Sequence, residues 1–132
     1  MKSTFIIPET VSVRYIVNDV SASVKFYVEL LGFEVAMNPP AGFAMLSKGN
    51  LRLLLNAPGA GGAGQSMPDG VSPAPGGWNR IQLQTKDIAG AITELQHKKA
   101  QFRNALVTGN GGKQILLLDP SGNLIELVEP KD

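Results

Sequence analysis

The stretch DPSGNLIELVEP (residues 119–130) sets a glutamate, Glu126, among apolar residues that predict a β-strand. A bare carboxylate is too costly to bury, so Glu126 must face solvent, meet a cation or coordinate a metal. The same region has a counterpart earlier in the chain, because FAMLSKGNLRLLLN (43–56) matches QILLLDPSGNLIELVE (114–129). Each copy predicts a strand, a tight turn ending in Gly-Asn, and a second strand. The repeat therefore sets the fold.

The repeat extends upstream of both hairpins. An alternating segment followed by an aspartate occurs twice, as VSVRYIVNDV (11–20) and NRIQLQTKDI (79–88). Apolar residues at helical spacing follow each copy, with Ser21 and Asp87 as the expected helix caps. FEVAMN and FRNALV each supply one more extended segment. We therefore predict an α+β fold of two tandem βαβββ modules.

The domain organisation follows from this repeat. We predict a single domain over residues 1–132, in which modules 10–56 and 78–130 are joined by the linker 57–77. Glycine and proline dominate the linker, so it cannot form a regular element. The sequence does not determine whether the linker acts as a lid, or whether the modules pair within one chain or between chains.

Composition narrows the function classes. The net charge of +1 provides no electrostatic basis for binding nucleic acid or an anionic membrane, so we expect neither partner. The chain has no cysteine, which excludes thiolate metal sites and cysteine nucleophiles. No apolar run approaches the length of a membrane span, and the first residues do not form a signal peptide. We expect a cytoplasmic protein.

Two modules, an aspartate before each helix, FYVELLGFEV (26–35) and DPSGNLIEL (119–127) together resemble the vicinal oxygen chelate superfamily. This superfamily contains glyoxalases, bleomycin-resistance proteins and extradiol dioxygenases, and the resemblance covers residues 10–130. It implies curved mixed sheets that enclose a cleft about a pseudo-twofold axis.

The resemblance also implies where a metal would bind. The family's ligand positions, on the first and fourth strands of each module, fall here on Ser12, Leu53, Arg80 and Glu126. Only Glu126 matches the family's ligand, and a catalytic metal usually needs three protein ligands. We therefore expect no metal and no other cofactor.

Glu126 then needs a different partner. The family's sheet order makes the first and fourth strands neighbours, so Arg80 is the predicted cross-strand partner of Glu126. The remaining cleft positions are polar, apolar and aromatic, as in ligand pockets generally. The predicted ligand-binding residues are Ser12, Arg14, Leu53, Trp78, Arg80, Gln82, Gln84 and Glu126.

These expectations favour a metal-independent protein that binds a small organic molecule, similar to bleomycin-resistance proteins. The alternatives are a metal-dependent glyoxalase-like lyase or extradiol dioxygenase, a metal-free enzyme with Glu126 as catalytic base, and a structural pairing module. Because the related resistance proteins pair two chains, we expect a homodimer. The sequence does not identify the ligand.

Overall fold

The computed structural model describes residues 4–39 and 41–132, and the chain divides between Ala74 and Pro75 into two compact units. We call them the N-terminal half and the C-terminal half. The elements of the N-terminal half are β1 (Val11–Ile16), α1 (Val20–Leu31), β2 (Glu34–Met37), β3 (Phe43–Lys48) and β4 (Leu51–Asn56). They form one mixed sheet of order β1-β4-β3-β2, in which β1 runs parallel to β4.

The C-terminal half repeats this plan with one extra strand. Its elements are β5 (Ile81–Gln84), α2 (Ile88–His97), β6 (Gln101–Phe102), β7 (Val107–Gly109), β8 (Gly112–Leu118) and β9 (Leu124–Pro130). The sheet order is β5-β9-β8-β6, with β7 also paired to β8, and β5 runs parallel to β9. The predicted α+β arrangement of two βαβββ-like units is confirmed. That the two units act as a single domain stays a prediction.

The second extended segment of the C-terminal half, FRNALV, is not the single strand that the sequence predicted. It is split into β6 and β7, because the four residues 103–106 lie opposite only two residues of β8. Leu116 of β8 holds this bulge through two hydrogen bonds. Its N–H donates to Asn104 Oδ1 at 2.9 Å, and its carbonyl accepts from Arg103 N at 2.8 Å. A bulge of this kind redirects side chains.

Aspartates cap both helices. Asp19 precedes α1 and its Oδ1 accepts from Ala22 N at 3.0 Å, so the prediction of Ser21 as the cap is wrong. Ser21 lies inside the first turn because the helix already begins at Val20. Asp87 caps α2 as predicted, with Oδ1 accepting from Gly90 N at 3.0 Å.

The core of the N-terminal half lies on the sheet face that carries Leu53. Leu53 is fully buried and pairs with Val13 on β1 and Leu46 on β3, and directly opposed residues share a face. Phe26 and Tyr27 of α1 are buried too and meet edge to face, with ring centroids 5.0 Å apart. Burying such apolar area is the main stabilising contribution to each half.

The linker region consists of hydrogen-bonded turns and contains no helix or strand. Gly59 N donates to Gly64 O at 2.6 Å, and the hydroxyls of Ser66 and Ser72 lie 2.7 Å apart. Glycines supply the positive φ that several of these turns need, for example Gly59 at 84°. Within the part of the chain that the structure describes, no helix is long and apolar enough to cross a membrane.

Candidate functional site

Glu126 lies midway along β9 and is held by two side chains of the neighbouring segment. Arg80 donates to Oε1 through Nε at 3.0 Å and through a terminal nitrogen at 2.8 Å. Gln82 Nε2 donates to Oε2 at 2.6 Å. The side chains of Arg80 and Glu126 retain 32% and 12% of their exposure, so the ion pair is only partly shielded from water. The predicted pairing of Arg80 with Glu126 is confirmed.

Strand register explains this geometry. Gln82 lies directly opposite Glu126 in the parallel pair, whereas Arg80 precedes β5 by one residue and reaches Glu126 diagonally. The residue in the cross-strand position is therefore Gln82 rather than Arg80. The sequence analysis predicts Gln82 as a ligand-binding residue and does not predict its hydrogen bond to Glu126.

These contacts decide the charge state of Glu126. The hydrogen bond from Gln82 lowers the pKa of this carboxyl most, and the bonds and positive charge of Arg80 lower it further. Partial burial opposes them, but the net pKa lies below its ordinary value of 4.5. Glu126 is therefore ionised at neutral pH and is a weaker proton acceptor than an unperturbed glutamate.

The motif DPSGN (119–123) is a turn with buried ends, Asp119 and Asn123, and it fixes the start of β9. Asp119 Oδ1 accepts from the backbone N–H groups of Ser121 and Asn123, both at 2.8 Å. Asn123 in turn accepts from Gly76 N at 2.8 Å through its Oδ1. This turn therefore ties the segment before Trp78 to the same end of the sheet.

Trp78 lies next to the ion pair of Arg80 and Glu126 and is 65% exposed. Its carbonyl accepts from Arg80 at 3.2 Å, which connects the Trp78 backbone to the Arg80–Glu126 pair. The guanidinium of Arg103 lies over the Trp78 ring, 5.9 Å from its centroid. A large exposed indole beside polar groups can bind a planar molecule.

The side of this sheet that carries Gln82 and Glu126 is here called the open face. Register places Gln84, Leu116 and Gln114 on the same side, because Gln84 and Gln114 both oppose Val128 and Leu116 opposes Glu126. The open face thus alternates amides and charges with aliphatic side chains.

A small pocket of about 110 Å³ opens on this face next to Arg80. Its other lining residues are Asn104, Val107, Gln114, Ile115 and Leu116. The pocket is of the same order as the roughly 150 Å³ cavity that holds a benzene ring. Asn104 and Gln114 were missed at the sequence level because the bulge that presents Asn104 was interpreted as a regular strand.

The predicted residues of the N-terminal half do not all share a face. Ser12 and Arg14 are exposed on β1, and Arg14 Nε donates to Asn56 Oδ1 at 2.9 Å. Leu53 is buried on the opposite side, so the prediction that it lines a ligand site with Ser12 and Arg14 is wrong. The β4 residues on their side are Arg52, Leu54 and Asn56, since Arg52 opposes Ser12 and Leu54 opposes Arg14.

A larger concavity of the N-terminal half, about 590 Å³, lies at the start of α1. Its lining includes Asn18, Ser21, Asn38 and Phe43 but none of the predicted ligand-binding residues. We therefore place the candidate site on the open face of the C-terminal half.

The residues at the family's metal positions do not fit a metal ion. Across residues 4–39 and 41–132, no three His, Cys, Asp or Glu side chains cluster in a way that could hold one. Ser12 and Leu53 lie on opposite sides of their sheet, and Arg80 is a cation that already bonds Glu126. A divalent cation at Glu126 would have to displace that arginine and would then find too few donors.

Comparison with known proteins identifies the family. A model of the Glyoxalase/Bleomycin resistance protein/Dioxygenase superfamily matches residues 9–127, and the chain belongs to that superfamily. No curated protein matches the chain.

Several solved structures share the fold along nearly the whole chain. A superfamily member from Sphaerobacter thermophilus is 28% identical, with a TM-score of 0.73 over 93% of this chain and 98% of its own. TnmS3, an antibiotic-binding protein from Streptomyces sp. CB03234, is 23% identical, with a TM-score of 0.72 over 96% of this chain and 99% of its own. A lactoylglutathione lyase from Agrobacterium tumefaciens is 18% identical, with a TM-score of 0.70 over 98% and 96%. The latter two show the fold alone, and they include both a binding protein and an enzyme.

Proposed function

We propose that this chain is a metal-independent binding protein that holds a small organic molecule on the open face of its C-terminal half. One observation carries the proposal: the carboxylate at the family's metal position is bonded by Arg80 and Gln82, beside an exposed Trp78. A cation built into the chain thus replaces the metal, while a surface suited to a planar organic molecule remains.

The proposed contacts follow from the geometry. Trp78 offers an aromatic surface, and Gln82 and Gln84 offer exposed amide groups. Arg80 holds Glu126 in place, and the small pocket beside it receives one substituent of the ligand. Ser12 and Arg14, two exposed side chains of the N-terminal half, stay proposed as ligand contacts.

An enzymatic role for Glu126 receives less support. A general base works best with a pKa near the operating pH, whereas the contacts of Glu126 move its pKa below the ordinary carboxyl value. A lyase or dioxygenase of the metal-dependent kind would need ligands that these positions do not supply. The lactoylglutathione lyase named above shares the fold, and fold alone does not carry activity.

A thermal-shift screen of small aromatic and peptidic compounds tests the proposal, because a ligand that binds only the folded state raises the melting temperature. Hits should raise the melting temperature of the wild type and act more weakly on Trp78→Ala. The control variant Lys25→Gln changes an exposed residue of α1 and should respond like the wild type. Hits that shift all three proteins equally would place binding elsewhere.

Elemental analysis of the purified protein tests the absence of metal separately. We expect no stoichiometric divalent ion, and added zinc, nickel or manganese should not raise the melting temperature. About one tightly held ion per chain would contradict the proposal and would favour a metalloenzyme with Glu126 as a ligand.

A further inference from the structure

Two arginines approach Trp78, and their charges are used differently. Arg80 directs two of its bonds to Glu126 and a third to the Trp78 carbonyl. Arg103 is exposed and lies over the Trp78 ring. No carboxylate in the described residues forms an ion pair with Arg103.

The charges around Trp78 therefore do not cancel. Arg80 and Glu126 neutralise each other within their bonds, and Arg103 adds one positive charge beside the indole. The small pocket next to Arg80 adds only amide and aliphatic side chains to this balance. The indole ring attracts a guanidinium that lies over it. The guanidinium can still donate hydrogen bonds from its own edge to an anion.

We propose that Arg103 determines ligand charge at this site and that the ligand is a planar aromatic molecule carrying an anionic group, such as a carboxylate. This inference rests on the proposed function and specifies its ligand class. The aromatic ring packs against Trp78, and the anionic group bonds the Arg103 guanidinium, whose fork of donors matches a carboxylate.

The alternative recipient of the anion, Arg80, is disfavoured by its contacts. A ligand carboxylate that took Arg80 would leave Glu126, whose side chain is only 12% exposed, without its cation and beside a second negative charge. An uncompensated, largely buried carboxylate is costly, whereas Arg103 can bind an anion without breaking any ion pair. The bulge between β6 and β7 presents Arg103 next to Leu116, which opposes Glu126 on β9.

A matched pair of probes tests the charge requirement: 2-naphthoate and its uncharged analogue 2-naphthamide, titrated calorimetrically at low ionic strength. We expect the wild type to bind 2-naphthoate about fivefold more tightly, the effect of one exposed charge pair. Arg103→Gln should abolish this preference, because it should weaken the binding of 2-naphthoate about fivefold more than the binding of 2-naphthamide. Lys25→Gln should retain the preference, and molar salt, where the Debye length is about 3 Å, should reduce it.

The outcomes separate this inference from the function on which it rests. Binding of 2-naphthamide as tight as or tighter than that of 2-naphthoate would keep a small-molecule site and overturn the anionic ligand. A preference for 2-naphthoate that survives in Arg103→Gln would overturn the role of Arg103. If neither probe binds the wild type, the inference fails, and the thermal-shift screen decides the proposed function independently.

Discussion

Removing Arg80 should destabilise the fold more than neutralising Glu126. In Arg80→Ala, the carboxylate keeps only its bond from Gln82 and stays largely buried, with 12% of its side chain exposed. In Glu126→Gln, the amide oxygen can still accept from Arg80, and the arginine, already 32% exposed, can extend into water.

The magnitude follows from the degree of burial. Breaking a fully buried pair by removing one partner costs about 3–5 kcal/mol, and an exposed pair contributes about 0–1 kcal/mol. The pair of Arg80 and Glu126 lies between these limits, so we expect Arg80→Ala to lower the free energy of unfolding by about 1.5–2.5 kcal/mol. Glu126→Gln should cost about 0.5–1 kcal/mol, the value of a weakened hydrogen bond.

Urea unfolding followed by far-UV circular dichroism measures both changes without relying on Trp78, whose surroundings the first variant alters. Arg103→Ala is the matched control, because it removes an exposed arginine of the same half without breaking any ion pair of the described residues, and it should cost at most about 1 kcal/mol, the value of an exposed cation–π contact with Trp78. The reasoning fails if Glu126→Gln is as costly as Arg80→Ala, or if Arg80→Ala is no worse than the control.

Four other outcomes can be measured. The stabilisation from Glu126 should be complete well above pH 4.5, the ordinary carboxyl value, and should be lost as the pH falls through its lower folded-state pKa, so the stability gap between wild type and Glu126→Gln should close in acid. Leu53→Ala should cost about 2–5 kcal/mol and Leu54→Ala about 1 kcal/mol or less, because only Leu53 is fully buried; equal costs would contradict the assigned faces. Light scattering at micromolar concentration should give a homodimer, and a mass of only 14.0 kDa would exclude it. Limited proteolysis should cut first between residues 59 and 77 and more slowly when a ligand is bound, whereas first cuts inside α1 or α2 would oppose a mobile linker.

The sequence predicted the strand neighbours and the ion pair because both follow from patterns of residues along the chain. The internal repeat and the family resemblance indicated that the first and fourth strands of each module lie side by side. Alternation then put Gln82 and Gln84 on one side of β5 and Ile81 on the other, which the burial of Ile81 confirms. The partner of Glu126 followed from these two observations alone.

The face of Leu53 could not be obtained in this way. Leu53 and Glu126 each lie three residues after the Asn of a Gly-Asn pair, so they appear equivalent if the two turns are taken as equivalent. The turn between β3 and β4, however, has two residues, Gly49 and Asn50, and the turn between β8 and β9 has the five residues 119–123. Residues at the same distance from the Gly-Asn pair therefore face opposite sides of their sheets in β4 and β9. A shift of one residue is enough for this, because it turns every side chain of a strand to the other side of the sheet.

The internal repeat gives the two halves equivalent side-chain positions, but the residues at these positions carry different charges. Arg14 donates through Nε to Asn56 at 2.9 Å, and Arg80 donates through Nε to Glu126 at 3.0 Å. In both cases the acceptor lies on the neighbouring parallel strand, two residues beyond the position that is level with the arginine. The shared register is therefore sufficient to place a guanidinium against a β-strand acceptor in both halves. Asn56 is neutral, so its bond leaves the charge of Arg14 unbalanced, whereas Glu126 cancels that of Arg80. The residue at the acceptor position therefore decides whether an ion pair neutralises the arginine, as Glu126 does for Arg80, or whether a neutral amide bonds it, as Asn56 does for Arg14.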